Sequence, residues 1–145
     1  MAEQFEQVSV NLTNEKVQFT GISKANPGRP IVFDFRAPIG DGDGYNGLEL
    51  LLMSFAGCSG TTIVVLLRNM GKKVSGCTVN AKGLRRDQPP IKFEKIFLEF
   101  LLTSEDTQDA DILKAIQLAE GSFCPVWQML KNNTEILTEY KISVS

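Results

Sequence analysis

From Leu50 to Leu67 the chain carries no charged residue for eighteen positions, and this stretch constrains the fold more than any other. Its length alone raises the question of a membrane span. Ser54, Gly57, Ser59, Gly60, Thr61 and Thr62 interrupt it, and Glu49 and Arg68 stand close to its ends, so a span is rejected. A helix apolar on nearly all sides in a soluble chain is a buried central helix. Gly71 is expected to end it, with Arg68, Lys72 and Lys73 favourable near its negative C-terminal end.

The segments around this helix read mainly as strands. Val8, Val10 and Leu12 alternate with polar residues, Thr13-Asn14-Glu15 supplies a turn, and Val17 and Phe19 resume the alternation, which predicts a hairpin. Asn26-Pro27-Gly28 marks another turn, and Ile31, Phe33 and Phe35 then share a face. The Gly/Asp-rich segment from Pro38 to Asn46 is expected to be a mobile loop. After the helix, 73–84 and 91–102 read as two long strands joined through Arg85 to Pro90, the second apolar on both faces. An amphipathic helix is expected over 109–120, with Ile112, Leu113, Ile116 and Ala119 on its stripe. A short helix over 125–131 and a strand over 134–143 follow. The order gives an α+β fold in one domain over residues 1–145, a length sufficient for a hydrophobic core without disulfide staples.

Composition excludes several functions. Lys plus Arg (15) nearly balances Asp plus Glu (17), for a net charge of −2, and no basic stripe advertises nucleic acid. The first ten residues lack the charged and apolar regions of a signal peptide. Three cysteines at 58, 77 and 124 do not make a secreted disulfide framework, so a reducing, cytoplasmic setting is expected. The chain has no histidine, which removes Ser-His and Cys-His nucleophiles and histidine metal sites together.

Attention therefore falls on the cysteines. Cys124 precedes Pro125, and proline favours the first helical position, so Cys124 is expected at a helix N-cap. Helix-end N–H groups favour a thiolate there and tend to lower the thiol pKa. The competing reading is a buried small hydrophobe without chemistry. Cys58 lies mid-helix among Gly57, Ser59 and Gly60. Two glycines near one cysteine, each costing roughly 0.5–1 kcal/mol in a helix, point to close packing or to access for a substrate. Cys77, inside a strand pattern, reads as structural.

The segment from Gly47 to Cys58, GLELLLMSFAGC, resembles the signature helix of the OsmC/Ohr family, and Cys124-Pro125-Val126-Trp127-Gln128-Met129-Leu130 is similar to its second-cysteine motif. With Pro89-Pro90 and the apolar strand that follows, the resemblance covers the chain from Val8 onward and points to the OsmC-like subgroup. It implies an intertwined homodimer, with antiparallel sheets wrapped around two central buried helices. It also implies a thiol-dependent peroxidase for organic hydroperoxides, in which Cys58 becomes a sulfenic acid and Cys124 resolves it as a Cys58–Cys124 disulfide. A dithiol reductant would restore the pair, with no metal or organic cofactor.

In the family's peroxidases an arginine from the first hairpin, partnered by a glutamate ahead of the first cysteine, supports the thiolate. The matching hairpin here offers Lys16, a point charge rather than a bidentate fork, and Arg36 is the nearest arginine before the loop. Glu49 is the candidate carboxylate, but nine residues at about 100° each put it opposite Cys58 on a straight helix. Glu49 also fits a capping box with Asn46. These departures favour an alternative, an OsmC-like dimer without strong peroxidase activity that binds an apolar small molecule between its subunits.

Overall fold

The computed structural model describes residues 2–144. The chain divides into two compact units, Met1–Leu50 and Leu51–Ser145.

In the first unit, β1 (Val8–Leu12), β2 (Phe19–Ser23) and β3 (Ile31–Phe33) form an antiparallel sheet in that order. The predicted hairpin is present, closed by the Thr13 N–H donating to the Gln18 carbonyl at 2.8 Å. β3 stops at Phe33, short of the Phe35 expected on its face, because Asp34 redirects the backbone. The Asp34 carboxylate is buried and accepts N–H donors from Phe35 at 2.8 Å, Asp43 at 3.0 Å and Asp41 at 3.2 Å. Those bonds, led by that from Asp43, hold its pKa below the ordinary carboxylate value. Reciprocal backbone bonds, Asp34 N–H to Tyr45 and Tyr45 N–H to Val32, close the excursion at its base. The segment expected to be mobile is thus pinned around one carboxylate.

The second unit holds most of α1 (Gly47–Asn69), then β4 (Val74–Arg85), β5 (Phe93–Ser104), α2 (Asp109–Leu118), a π-helical turn (Ala119–Phe123), α3 (Pro125–Leu130) and β6 (Glu135–Ser143). β5 is central in the order β4-β5-β6. It is antiparallel to β4, with Val79 opposite Phe100, and parallel to β6, with Leu98 opposite Thr138. The expected α+β class is present, but this sheet is mixed where antiparallel sheets were expected. The reason lies in the connection: α2, the π turn and α3 form a helical crossover that returns the chain in the direction of β5.

Ile96, Leu98, Phe100 and Leu102 line the buried face of β5, while Phe97 and Leu101 on the other face are only half-covered. Gly60 explains how closely α1 lies on the buried face: a Cβ there would stand 2.9 Å from the Val79 Cγ2. Phe55, Ser59, Gly60, Ile63 and Leu67 form the buried stripe of α1, and Ile112, Ala115 and Ile116 that of α2. The helix ends as expected, at Gly71 with φ +80°, and the Lys72 N–H reaches back to the Leu67 carbonyl at 3.0 Å. The expected all-round burial of α1 does not hold within the single chain. Met53 and Val65 remain 48% and 49% exposed, and Ser54, Gly57 and Thr61 are exposed with them.

Candidate functional site

Cys124 is the N-cap of α3, in extended backbone (φ −94°, ψ 108°), with Pro125 at the first helical position. The turn before it explains why the thiol points inward. Its N–H donates to the Ala119 carbonyl at 3.1 Å across a π turn, five residues back, a wider loop than an α-helix makes. Gln128 holds this turn from α3, its side-chain amide donating to the Glu120 carbonyl at 2.8 Å and the Ala119 carbonyl at 3.3 Å. Lys131 adds a bond to the Glu120 carbonyl at 3.3 Å.

The cap geometry is as the sequence predicts; the acidity is not. Cys124 is wholly buried, and its thiol pKa is pushed up to about 11 from 9.0. Burial is the largest cause. Backbone N–H groups of Trp127 and Val126 pull it down, as a helix start should, but neighbouring Cys58 raises it further by hydrogen bonding and repulsion. Desolvation defeats the helix end. Cys124 rests as a neutral thiol beside Cys58, and no cationic side chain figures among these influences.

Cys58 is half-buried on α1. The hydroxyls around it turn to their own helix: Thr62 donates to the Cys58 carbonyl at 2.9 Å, Thr61 to that of Gly57 at 2.7 Å, and Ser59 to that of Ala56 at 3.2 Å. One turn before Cys58, the ring of Phe55 meets that of Trp127 edge to face, with centroids 5.3 Å apart and planes at 83°. Trp127 is 1% exposed, yet its indole Nε1–H has no hydrogen-bond partner among the described residues. Cys77 is exposed and lies outside the pair; it lines an open groove of about 510 Å³ with Gly57, Gly60, Val65 and Arg68.

The other predicted site residues are accounted for within the first unit. Glu49 closes the capping box: its Oε1 accepts the Asn46 N–H at 3.1 Å, and the Asn46 Oδ1 accepts the Glu49 N–H at 2.9 Å. Lys16 Nζ is paired with Asp41 Oδ1 at 2.6 Å, and that hydrogen bond raises the Lys16 pKa. Arg36 is exposed and makes no ion pair among the described residues. Asp34, Asp41 and Asp43 cluster closely, but three backbone donors already occupy Asp34 and Lys16 takes Asp41. Sequence reasoning missed Trp127 and Gln128 as site residues. Their only signal was position, three and four residues after the cysteine on a helix that starts there.

The mixed α+β scaffold thus buries Cys124 beside a second, half-buried cysteine, Cys58. Comparison with known proteins makes this specific. Residues 40–139 match the family model described as OsmC-like protein, and the chain belongs to that family. Protein YhfA of Escherichia coli strain K12 is 32% identical over 95 residues, covering 66% of this chain and 71% of that protein. A hypothetical protein from Aquifex aeolicus superposes with a TM-score of 0.84 at 22% identity, over 99% of both chains. The organic hydroperoxide resistance protein OhrB of Bacillus subtilis superposes at 0.65 with 14% identity, over 95% of this chain and 98% of its own.

Proposed function

We propose that the protein is a thiol peroxidase acting on organic hydroperoxides, with Cys58 attacking and Cys124 resolving. The observation that carries this reading is the neighbouring Cys58–Cys124 pair and the protonation state of its buried member. Names given to similar folds, such as OhrB, agree with it.

The chemistry runs in two steps. The Cys58 sulfur attacks one peroxide oxygen; the O–O bond breaks, an S–O bond forms, and the alcohol leaves with the second oxygen and a proton. Cys124 then attacks the sulfenic sulfur and water departs, leaving a disulfide. A dithiol reductant returns both thiols by exchange. With a pKa of about 11, Cys124 is a thiolate in roughly one molecule in ten thousand at neutral pH, so it does not compete for the peroxide. The partially accessible Cys58 takes that role. This activity belongs in a reducing cytoplasm, and the uncovered face of α1 supports a homodimer.

A second reading rests on the N-terminal unit. Glu49 is engaged as a helix cap and Lys16 in an ion pair, so neither of these two groups is free to assist a thiolate. An unassisted pair would suit an OsmC-like dimer that binds an apolar molecule between subunits.

Oxidation of the reduced protein by an alkyl or aryl hydroperoxide separates the two. The peroxidase reading predicts rapid disulfide in the wild type and sulfenic acid trapped only in Cys124→Ser. Equal, substoichiometric oxidation of wild type and Cys58→Ser would reject it.

A further inference from the structure

A buried N–H without an acceptor forfeits roughly 1–3 kcal/mol relative to one that is bonded, so the Trp127 indole needs an explanation. Two observations tie it to the cysteine pair. The Trp127 backbone N–H acts on the Cys124 thiol, and the Trp127 ring sits edge to face with Phe55, one helical turn before Cys58. The indole is therefore held between the elements that carry the two thiols. Neither sulfur takes its hydrogen, since Nε1 has no partner while both cysteines are reduced thiols. The Nε1 atom is itself shut off from the protein surface.

We propose that the Trp127 indole N–H is the hydrogen-bond donor for the oxygen that a hydroperoxide leaves on Cys58. This rests on the peroxidase reading above. Attack on ROOH transfers one oxygen to the Cys58 sulfur, which gives up two electrons, and releases ROH. The new oxygen projects beyond the sulfur and carries more negative charge than a thiol. It is thus an acceptor created inside the site, and it needs no solvent path to reach a buried donor. The bond holds the sulfenic acid in one orientation, exposing its sulfur to Cys124 and shielding it from a second peroxide. Trp127 is the only tryptophan in the chain, so this donor gives a single indole signal.

The test uses the Cys124→Ser protein, in which the sulfenic acid persists, labelled with ¹⁵N and oxidised by one equivalent of cumene hydroperoxide. Mass spectrometry reads one added oxygen on Cys58, and the ¹H–¹⁵N spectrum reads the indole. The expected result is a downfield shift of the indole proton and slower exchange with solvent as the oxygen is added, with neither change in Cys58→Ser. In Trp127→Phe/Cys124→Ser, over-oxidation to sulfinic acid should be roughly tenfold faster, the size expected for losing about one hydrogen bond. If oxygen adds to Cys58 while the indole signal stays in place, the inference is overturned and the peroxidase reading survives. An unmoved, upfield signal would assign the N–H to the face of the Phe55 ring instead. If no oxygen adds to Cys58, the peroxidase reading fails and takes this inference with it.

Discussion

Cys124 shows two effects opposed within a few ångströms, and burial wins. A pKa of about 11 makes a direct prediction for alkylation. In Cys58→Ser/Cys77→Ser, iodoacetamide should modify Cys124 with a midpoint that stays above 9 but below the wild-type value, because Cys58's contribution is gone while burial remains. A midpoint near 7 would mean that the helix start dominates. The same shift enters stability. The folded chain keeps the Cys124 proton to higher pH than the unfolded chain, so its contribution is full below pH 9.0, declines above it, and is lost through about pH 11. Denaturant titrations between those limits should show stability falling in the wild type and falling less in Cys124→Ser. Asp34 has the opposite sign. Its lowered pKa gives stability that is present above 3.8 and lost as pH falls through the folded value. The position of Cys124 before Pro125 was readable from sequence; its acidity was not, because desolvation depends on residues distant in the chain.

At the scale of elements, periodicity recovered nearly every strand and helix, including the capping box of Asn46 and Glu49. What it missed arises from non-local geometry. The parallel pairing of β6 with β5 depends on the direction of the crossover. The anchoring of 38–46 depends on which backbone donors converge on Asp34. The π turn before Cys124 leaves no compositional trace that distinguishes it from one more α-helical turn. The two glycines flanking Cys58 now separate by function. Gly60→Ala would drive a methyl into Val79 and should destabilise the fold by about 1–3 kcal/mol. At Gly57 an added Cβ would meet nothing within 4 Å, so within a single chain Gly57→Ala should stabilise by roughly 0.5–1 kcal/mol. Chemical denaturation of both variants checks the contrast. Trp127→Ala, which removes a large buried ring from α3, should cost about 3–5 kcal/mol.

For the whole molecule, the uncovered apolar face of α1 is the main departure from the sequence expectation of a buried helix. Met53 and Val65, with Ser54, Gly57 and Thr61, leave an exposed face, which the proposed homodimer would cover. Sedimentation equilibrium should find twice the chain mass, and Val65→Lys should shift the population toward single chains; a monomeric wild type would contradict the proposal. The redox claim is the central one, and peptide mapping after oxidation tests it most directly. Reduced protein treated with one equivalent of an organic hydroperoxide and digested without reductant should yield the peptides of Cys58 and Cys124 joined, less two hydrogens, with Cys77 unmodified. Recovery of both peptides as free thiols, with the hydroperoxide unconsumed, would contradict the account.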